Sequence, residues 1–401
     1  MLCTGCERRR CLTVGRLRHP IHFDWPAIAP RSIAPGKRWR ASCSNTSYTG
    51  LVTSPDDLPD SRPRFAARFE DRIHRSRAKR AIKRGKSPWV IPYIGYGTTE
   101  WIRVLGRVLY LRPDTSEHSR FRPDVEEVSR VRGWRTFTSL YVPYQKVAVL
   151  VDDEPVAEVV ADRGGVIDSI VRVALNPGWH TVTLRVEGAE VSHAPVKVMD
   201  PHAKVGVLSD VDDTVLITAL PKPFVAAWNS FVLDENARRA TSGMPVLYER
   251  LSKKHTGTPF IYLSTGAWNA APALSRFLAR NLYPMGPLLL TDWGPTHDRW
   301  FRSGREHKQR ELKRLAREFP DVKWILIGDD GQHDESLYHE FAKAHPNNVA
   351  AVAIRQLSVS QAVLAGGRSK ARLHRDASGV PWVYGPDGAT LAEELSKHDL
   401  L

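Results

Sequence analysis

Val205-Gly206-Val207-Leu208-Ser209-Asp210-Val211-Asp212-Asp213-Thr214 is an apolar run of strand length that ends abruptly in three carboxylates and a hydroxyl. Trp324-Ile325-Leu326-Ile327-Gly328 ends in the same way, running into Asp329-Asp330-Gly331 with Asp334 behind it. Phe260 to Leu263 leads into Ser264-Thr265-Gly266, and Leu288 to Leu290 and Val349 to Ile354 are further short apolar runs. Helical patterns fall between them, most clearly over His307 to Phe319 and Asp334 to His345. Short, continuously apolar strands that alternate with helices predict a parallel α/β sheet over residues 203–358. In such sheets ligands bind outside the carboxyl ends of the strands, where these polar residues stand.

The edge so predicted collects the carboxylates Asp210, Asp212, Asp329 and Asp334, the hydroxyl of Ser264 and the ammonium of Lys308. Crowded carboxylates repel one another unless a cation neutralises them. Three or four of them at one edge therefore imply a hard divalent metal, with Mg²⁺ the first choice. Bland roles compete at each position. Asp213 and Asp330 are as well suited to capping a turn or helix as to touching metal, and Thr214 to satisfying backbone amides. Lys308 shares a basic helix with Arg310, Lys313, Arg314 and Arg317, where a lysine by itself would be a solvated residue. Ser264 by itself would be a strand-end cap.

The segment from Val215 to Thr258 is longer than a connection needs. It carries Phe224, Trp228 and Phe231 at near-helical spacing, then Gly243-Met244-Pro245, and is read as a small helical cap over the edge. Trp268 and Trp293 follow strand ends, as lipid-facing or as core residues.

Taken in order, these stretches carry a resemblance. Asp210-x-Asp212-x-Thr214, Ser264, Lys308 and Asp329 with Asp334 resemble the four motifs of the haloacid-dehalogenase-like phosphotransferases. The phrases Ser209-Asp-Val-Asp-Asp-Thr214, Tyr262-Leu-Ser-Thr-Gly-Ala-Trp268, His307-Lys308 and Gly328-Asp-Asp-Gly-Gln-His-Asp334 resemble more closely the actin-patch-protein type of Mg²⁺-dependent phosphatidate phosphatase, which is related to the lipin catalytic domain. The resemblance departs at motif two, where the family's polar Ser-Asn-Ser-Pro-Trp-like stretch reads Ser264-Thr-Gly-Ala-Trp268, and at Asp330, where the family often has Ser.

The resemblance implies a Rossmann-like catalytic domain that hydrolyses phosphatidate to diacylglycerol through an aspartyl-phosphate. It implies Asp210 as nucleophile and Asp212 as acid and then base. Mg²⁺ would be held by Asp210, the Asp212 main-chain carbonyl and Asp329, with Asp334 orienting a metal-bound water or binding directly. Ser264 and Lys308 would hold phosphoryl oxygens. Two rivals stand beside this reading. One is a phosphatase of the same fold acting on another phosphomonoester. The other is a non-catalytic phosphatidate-binding module, which would tend to lack a catalytic Asp, whereas Asp210 and Asp212 are both present.

Outward from this core the pattern changes. Residues 88–202 alternate with period two, in the runs Val147 to Val151, Val156 to Val160, Val166 to Val173, His180 to Val186 and Val196 to Val198, with Trp101 to Leu111 as a candidate first strand. Turn signals such as Arg163-Gly164-Gly165 and Asn176-Pro177-Gly178 separate them, which predicts an accessory antiparallel β-sandwich. Residues 359–401 read as a tail with a short strand, Trp382 to Tyr384, an Asp387-Gly388 turn and a capping box of Thr390 and Glu393.

Charge is concentrated at the other end. Of 58 Lys and Arg and 44 Asp and Glu, residues 1–86 hold 20 and 7, leaving 38 and 37 for the remainder. Residues 1–60 are Pro-, Arg- and Ser-rich and read as a disordered extension. Residues 61–87 read as a basic amphipathic helix, with Phe65, Phe69 and Ile73 recurring every four residues, Ile82 further along, and Gly85 and Pro88 closing it. Such helices lie on anionic bilayers, so the expected partner is phosphatidate in an anionic membrane, and nucleic acid is disfavoured. All four cysteines, Cys3, Cys6, Cys11 and Cys43, lie in the extension at spacings that fit no good zinc template. A cysteine-free body, no spanning apolar run and no secretory h-region lead to the expectation of a cytoplasmic protein, peripheral at the membrane.

Overall fold

The computed structural model describes residues 64–112, 139–217, 239–291, 297–331, 333–364, 367 and 379–401. The four cysteines, Phe224, Trp228, Phe231 and Trp293 lie outside them, as do the side chains of Phe65 and Phe69.

Six strands form the predicted parallel sheet: β9 (Val205–Asp210), β10 (Phe260–Ala267), β11 (Leu288–Thr291), β12 (Lys323–Asp329), β13 (Val349–Arg355) and β14 (Trp382–Gly385). Their spatial order is β11-β10-β9-β12-β13-β14, and every neighbouring pair is parallel. Numbered within this sheet the order is 3-2-1-4-5-6, the doubly wound arrangement in which the order of strand addition reverses at the first strand. The apolar runs are buried along nearly their whole length because helices cover both faces. Those helices are α2 (Met244–Lys254), α3 (Ala271–Arg280), α4 (His297–Glu318), α5 (Asp334–Ala344) and α7 (Gly388–Ser396), with the short α6 (Val359–Leu364) after β13.

Two expectations need correcting here. Met244, Leu247, Tyr248 and Leu251 of α2 are buried in the main core, so the described part of the supposed cap is a layer of the domain. Residues 382–396 are likewise no appended tail, because β14 is the sixth strand and Leu391, Ala392 and Leu395 of α7 are core residues. Asp387, rather than Thr390, caps that helix: its Oδ1 accepts the Thr390 N–H at 2.9 Å. The helix start is pressed against α2 so closely that a Cβ on Gly388 would lie 2.2 Å from the Gly243 carbonyl carbon.

The period-two region forms β1 (Ser87–Pro92), β2 (Gly95–Gly97), β3 (Trp101–Leu111), β4 (Lys146–Val151), β5 (Glu154–Val160), β6 (Val166–Arg172), β7 (Gly178–Arg185) and β8 (Ser192–Val198). The expected strands stand within a few residues of their places, but β1 and β2 precede the supposed first strand. All eight join in one hydrogen-bonded sheet, and the β2–β8 pair is parallel, so the expectation of an antiparallel β-sandwich is met only in part. The eleven-residue β3 makes this arrangement, with β1 and β2 along one edge and β6 along the other. Val90, Val104, Val147, Val159, Ile167, Val182 and Val196, from seven of the strands, meet in one core. The opposite side of the same sheet contributes Trp89, Ile91, Tyr93, Tyr96 and Leu105 to the core of the α/β domain. The two sheets are thereby fused across an apolar contact, with Tyr93 stacked on Trp268 at 5.2 Å.

Helix α1 (Arg64–Lys83) lies against the β-domain through Ala78 and Ala81, and His74 stacks on Tyr141 at 4.3 Å. Gly85, at φ +74°, ends it in a left-handed turn that lets the Lys86 N–H reach the Ala81 carbonyl at 3.1 Å. Ile73 and Ile82 are 41% and 56% exposed. No helix among the described residues is long and apolar enough to cross a membrane.

Candidate active site

The register sets the site. Asp210 is the last residue of β9 and lies beside Leu263, one residue before Ser264 in β10. Asp329 ends β12, and Asp334 is the first residue of α5. The switch point of a doubly wound sheet falls between its first and fourth strands, so β9 and β12 deliver their terminal carboxylates to one crevice. Carboxylate oxygens of Asp210, Asp329 and Asp334 all lie within 4.8 Å of one another, and all three side chains are buried. Lys308, reaching in from α4, donates to Asp210 Oδ1 and to Asp334 Oδ1 at 2.6 Å each. Ser264 Oγ donates to Asp212 Oδ2 at 3.1 Å and accepts the Gly266 N–H at 3.0 Å.

All six residues singled out from the sequence thus converge, and Asp212 is the half-buried one among them. The competing carboxylate is also sorted. Asp330 Oδ1 accepts the Leu357 N–H at 2.8 Å and serves the backbone, while Asp334 turns inward. Asp213, at φ +55°, occupies the left-handed region that Asp tolerates better than most residues, and its carbonyl accepts from Arg355. Thr214 Oγ1 has no hydrogen-bond partner among the described residues, so it does not satisfy backbone amides there. Trp268 is buried beneath Tyr93 as a core residue, with its carbonyl accepting the Tyr93 hydroxyl at 2.9 Å.

Electrostatics follow from burial. Three buried carboxylates face one ammonium, which leaves two negative charges uncompensated when all are ionised. Burial and then the Asp334 carboxylate hold the Asp210 carboxyl well above the usual carboxylate range, against the pull of Lys308. Burial works against the Lys308 charge too, but Asp210 and Asp334 more than offset it and keep the ammonium protonated. Asp334 Oδ2 is buried with no hydrogen-bond partner among the described residues. An all-oxygen donor set, a deficit of two charges and an oxygen left over together fit a hard divalent cation.

Gly328 makes this geometry possible. A Cβ there would lie 2.7 Å from the Tyr338 ring and 2.8 Å from Asp334 Oδ2. Gly328→Ala should therefore cost about 1–3 kcal/mol of stability and displace Asp334. A lowered melting temperature together with weakened Mg²⁺ binding by calorimetry is the expected outcome. Unchanged Mg²⁺ affinity would mean that Asp334 is not a ligand.

Arg355 escaped the sequence reading. It ends β13, is buried, and joins the Asp213 carbonyl to Gln361 Oε1, at 3.1 Å from the latter. The signal that marked the other strand ends, a polar residue where an apolar run stops, was available there as well.

Residues 205–356 match the family model described as phosphatidate phosphatase APP1, catalytic domain. Phosphatidate phosphatase APP1 of Saccharomyces cerevisiae is 26% identical over 167 residues, 41% of this chain and 28% of that protein. An uncharacterized protein of Schizosaccharomyces pombe is 23% identical over 163 residues, 40% of this chain and 26% of its own. The aligned part of this chain spans less than a third of the length of those relatives. Among solved structures, a β-glucuronidase from glycoside hydrolase family 2 reaches a TM-score of 0.21 at 10% identity, over 75% of this chain and 30% of its own. That likeness is too slight to inform fold or function. The family match over residues 205–356 and the yeast relative point to the same family that the motifs resemble.

Proposed function

We propose, taking residues 205–356 as an APP1-type catalytic domain, that this chain is a Mg²⁺-dependent phosphatidate phosphatase working by haloacid-dehalogenase-like chemistry. The observation that carries the reading is the buried set of Asp210, Asp329 and Asp334 around the Lys308 ammonium, at the carboxyl edge of the sheet. Asp210, Asp329 and Asp334 would hold Mg²⁺, with the main-chain carbonyl of Asp212. When bound, the ion supplies the positive charge that cancels the carboxylate repulsion and draws off charge from the phosphoryl group.

A carboxylate oxygen of Asp210 bonds to phosphorus as the bond from phosphorus to the glycerol oxygen breaks. Asp212 hands its proton to that oxygen, and diacylglycerol departs. Asp212, now ionised, accepts a proton from water as the water oxygen bonds to phosphorus, and phosphate leaves with Asp210 restored. Lys308 and Ser264 contact phosphoryl oxygens and absorb their developing charge. The hydrogen bond from Ser264 to Asp212 also fixes the orientation of the acid.

A phosphate-release screen with Mg²⁺ across phosphatidate, lysophosphatidate and soluble phosphomonoesters tests the reading. Phosphatidate should be the best substrate, and preference for a soluble ester would overturn its identity as the substrate. Asp212→Asn sharpens the test. An alkyl phosphate needs a protonated leaving group and an activated aryl phosphate scarcely does, so the variant should lose about 10²–10⁴-fold on the former and markedly less on the latter. Equal losses would leave Asp212 as a metal neighbour only.

Phosphatidate resides in a bilayer, so the protein has to meet one. Helix α1 supports a peripheral contact: Ile73 and Ile82 are exposed, and Arg72, Arg77, Lys79, Arg80, Lys83 and Arg84 surround them in solvent. We read the protein as acting from the cytoplasmic side, against anionic lipid.

A further inference from the structure

A second charged cluster, buried at Arg103 and Glu311 and half-buried at Asp168, Arg314 and Glu318, lies where the β-domain meets α4. Arg103 on β3 is 6% exposed and pairs with Asp168 on β6 at 2.5 Å and with Glu318 at the end of α4. Asp168 also accepts from Arg314 of α4, at 2.8 Å. Glu318 further accepts the Tyr96 hydroxyl at 2.8 Å, and Arg314 pairs with Glu311. Glu311, Arg314 and Glu318 stand at i, i+3 and i+7, one stripe of the helix, while Lys308 projects from the face next to it. Burial alone would push the Asp168 carboxyl up, but Arg314 and Arg103 more than offset that and hold it ionised.

The same stretch of α4 is gripped on a further side. Burial, with Arg310 beside it, brings the His307 imidazole down to about 3. His307 is therefore neutral; its Nδ1 accepts from Arg310 at 3.1 Å and its Nε2 faces the Leu289 carbonyl at 3.5 Å. Buried ion pairs are poor sources of stability, because desolvation consumes most of the Coulombic gain. What they do specify is geometry, since each guanidinium fork accepts its carboxylates in few orientations.

We propose that the β-domain is a working part of the catalytic apparatus, in which Asp168, clamped between Arg103 and Arg314, positions α4 so that Lys308 Nζ sits between Asp210 and Asp334. Asp168 is a positioning residue and touches no substrate. The inference rests on the proposed role of Lys308 at the phosphoryl group. A shift of Lys308 by about 1 Å would be enough to lower turnover on the order of ten- to a hundredfold.

The test is a double-mutant cycle of Asp168→Asn with Lys308→Ala in the full chain, reading kcat and KM on an aryl phosphate with Mg²⁺. Asp168→Asn should lower kcat at least about tenfold with KM little changed, and should cause no further loss once Lys308 is Ala. The same fold-loss in both backgrounds would overturn the proposal, because a merely structural role multiplies through. Should Asp168→Asn fail to fold, Glu318→Gln carries the same cycle. Amide exchange of residues 304–312 in the resting protein gives a readout that needs no turnover. Exchange should quicken there more than in β9 and β12. An even rise everywhere, or none in α4, would overturn the proposal. Absence of phosphate release by the wild-type chain would instead remove the enzymatic reading and leave the exchange result to decide the positioning.

Discussion

Asp210→Asn should lower phosphate release by at least about a thousandfold, since the amide cannot form the bond to phosphorus. The fold should survive, and in the metal-free state it should gain. Burial and the neighbouring carboxylates raise the Asp210 carboxyl well above its unfolded value. Below the ordinary carboxylate pKa of about 4, Asp210 is protonated in both states and costs nothing. As pH rises from there to the folded-state value, the unfolded chain ionises first and the folded chain loses stability. The melting temperature of Asp210→Asn should thus equal that of the wild type at low pH and exceed it progressively as pH rises. Added Mg²⁺ should close the gap by stabilising the wild type only. A variant that releases phosphate like the wild type would end the mechanism. A melting gap that narrows with pH would mean that Lys308 alone neutralises Asp210.

The second large effect belongs to α1. Deleting everything before Pro88 would be the obvious experiment, but Ala81 of α1 is buried in the β-domain core, so truncation would damage the fold as well as the surface. Replacing Arg72, Arg77, Lys79, Arg80, Lys83 and Arg84 by Gln leaves the packed face of Ala78 and Ala81 untouched. Each basic residue near an anionic surface contributes on the order of 1 kcal/mol, screened within a Debye length. Even at half effectiveness, six of them amount to about 3 kcal/mol, or roughly a hundredfold in binding. The variant should therefore lose at least about a hundredfold in affinity for anionic vesicles while keeping its rate on detergent-dispersed phosphatidate. High salt should reproduce the loss in the unaltered chain. If the variant still sediments with anionic vesicles and hydrolyses them at the original rate, the membrane contact lies elsewhere.

Fusion of the two sheets changes what the β-domain means for either experiment. Tyr96, Trp101 and Phe319 form one aromatic cluster across the junction, with Phe319 5.9 Å and 5.7 Å from the first two rings. Through this junction the β-domain that carries α1 is packed directly against the α/β domain that carries the carboxylate edge.

Local pattern carried five of the six parallel strands and, together with the motif resemblance, six of the residues at the sheet's edge. The reason is physical: a strand buried on both faces must be apolar until it leaves the core, so Leu208 giving way to Ser209-Asp210, and Gly328 to Asp329, mark both the element and its carboxyl end. Tertiary structure decided the rest. Local pattern does not separate Asp334 from Asp330, and only the motif resemblance favoured the former; the turn of α5 over Gly328 sends Asp334 inward and leaves Asp330 to the Leu357 N–H. β1, interrupted by Pro88 and ending in Pro92, shows too little of its pairing in its own residues, because β3 supplies the partner edge. Residues 382–396 become a strand and helix of the domain only through β13 and α2. The clamp on α4 is the extreme case. Arg103 and Glu318 are 215 residues apart and Asp168 and Arg314 are 146 apart. Ion pairs between separate elements impose no period on either one, so the sequence by itself determined the edge and its carboxylates, and folding alone decided what holds Lys308 among them.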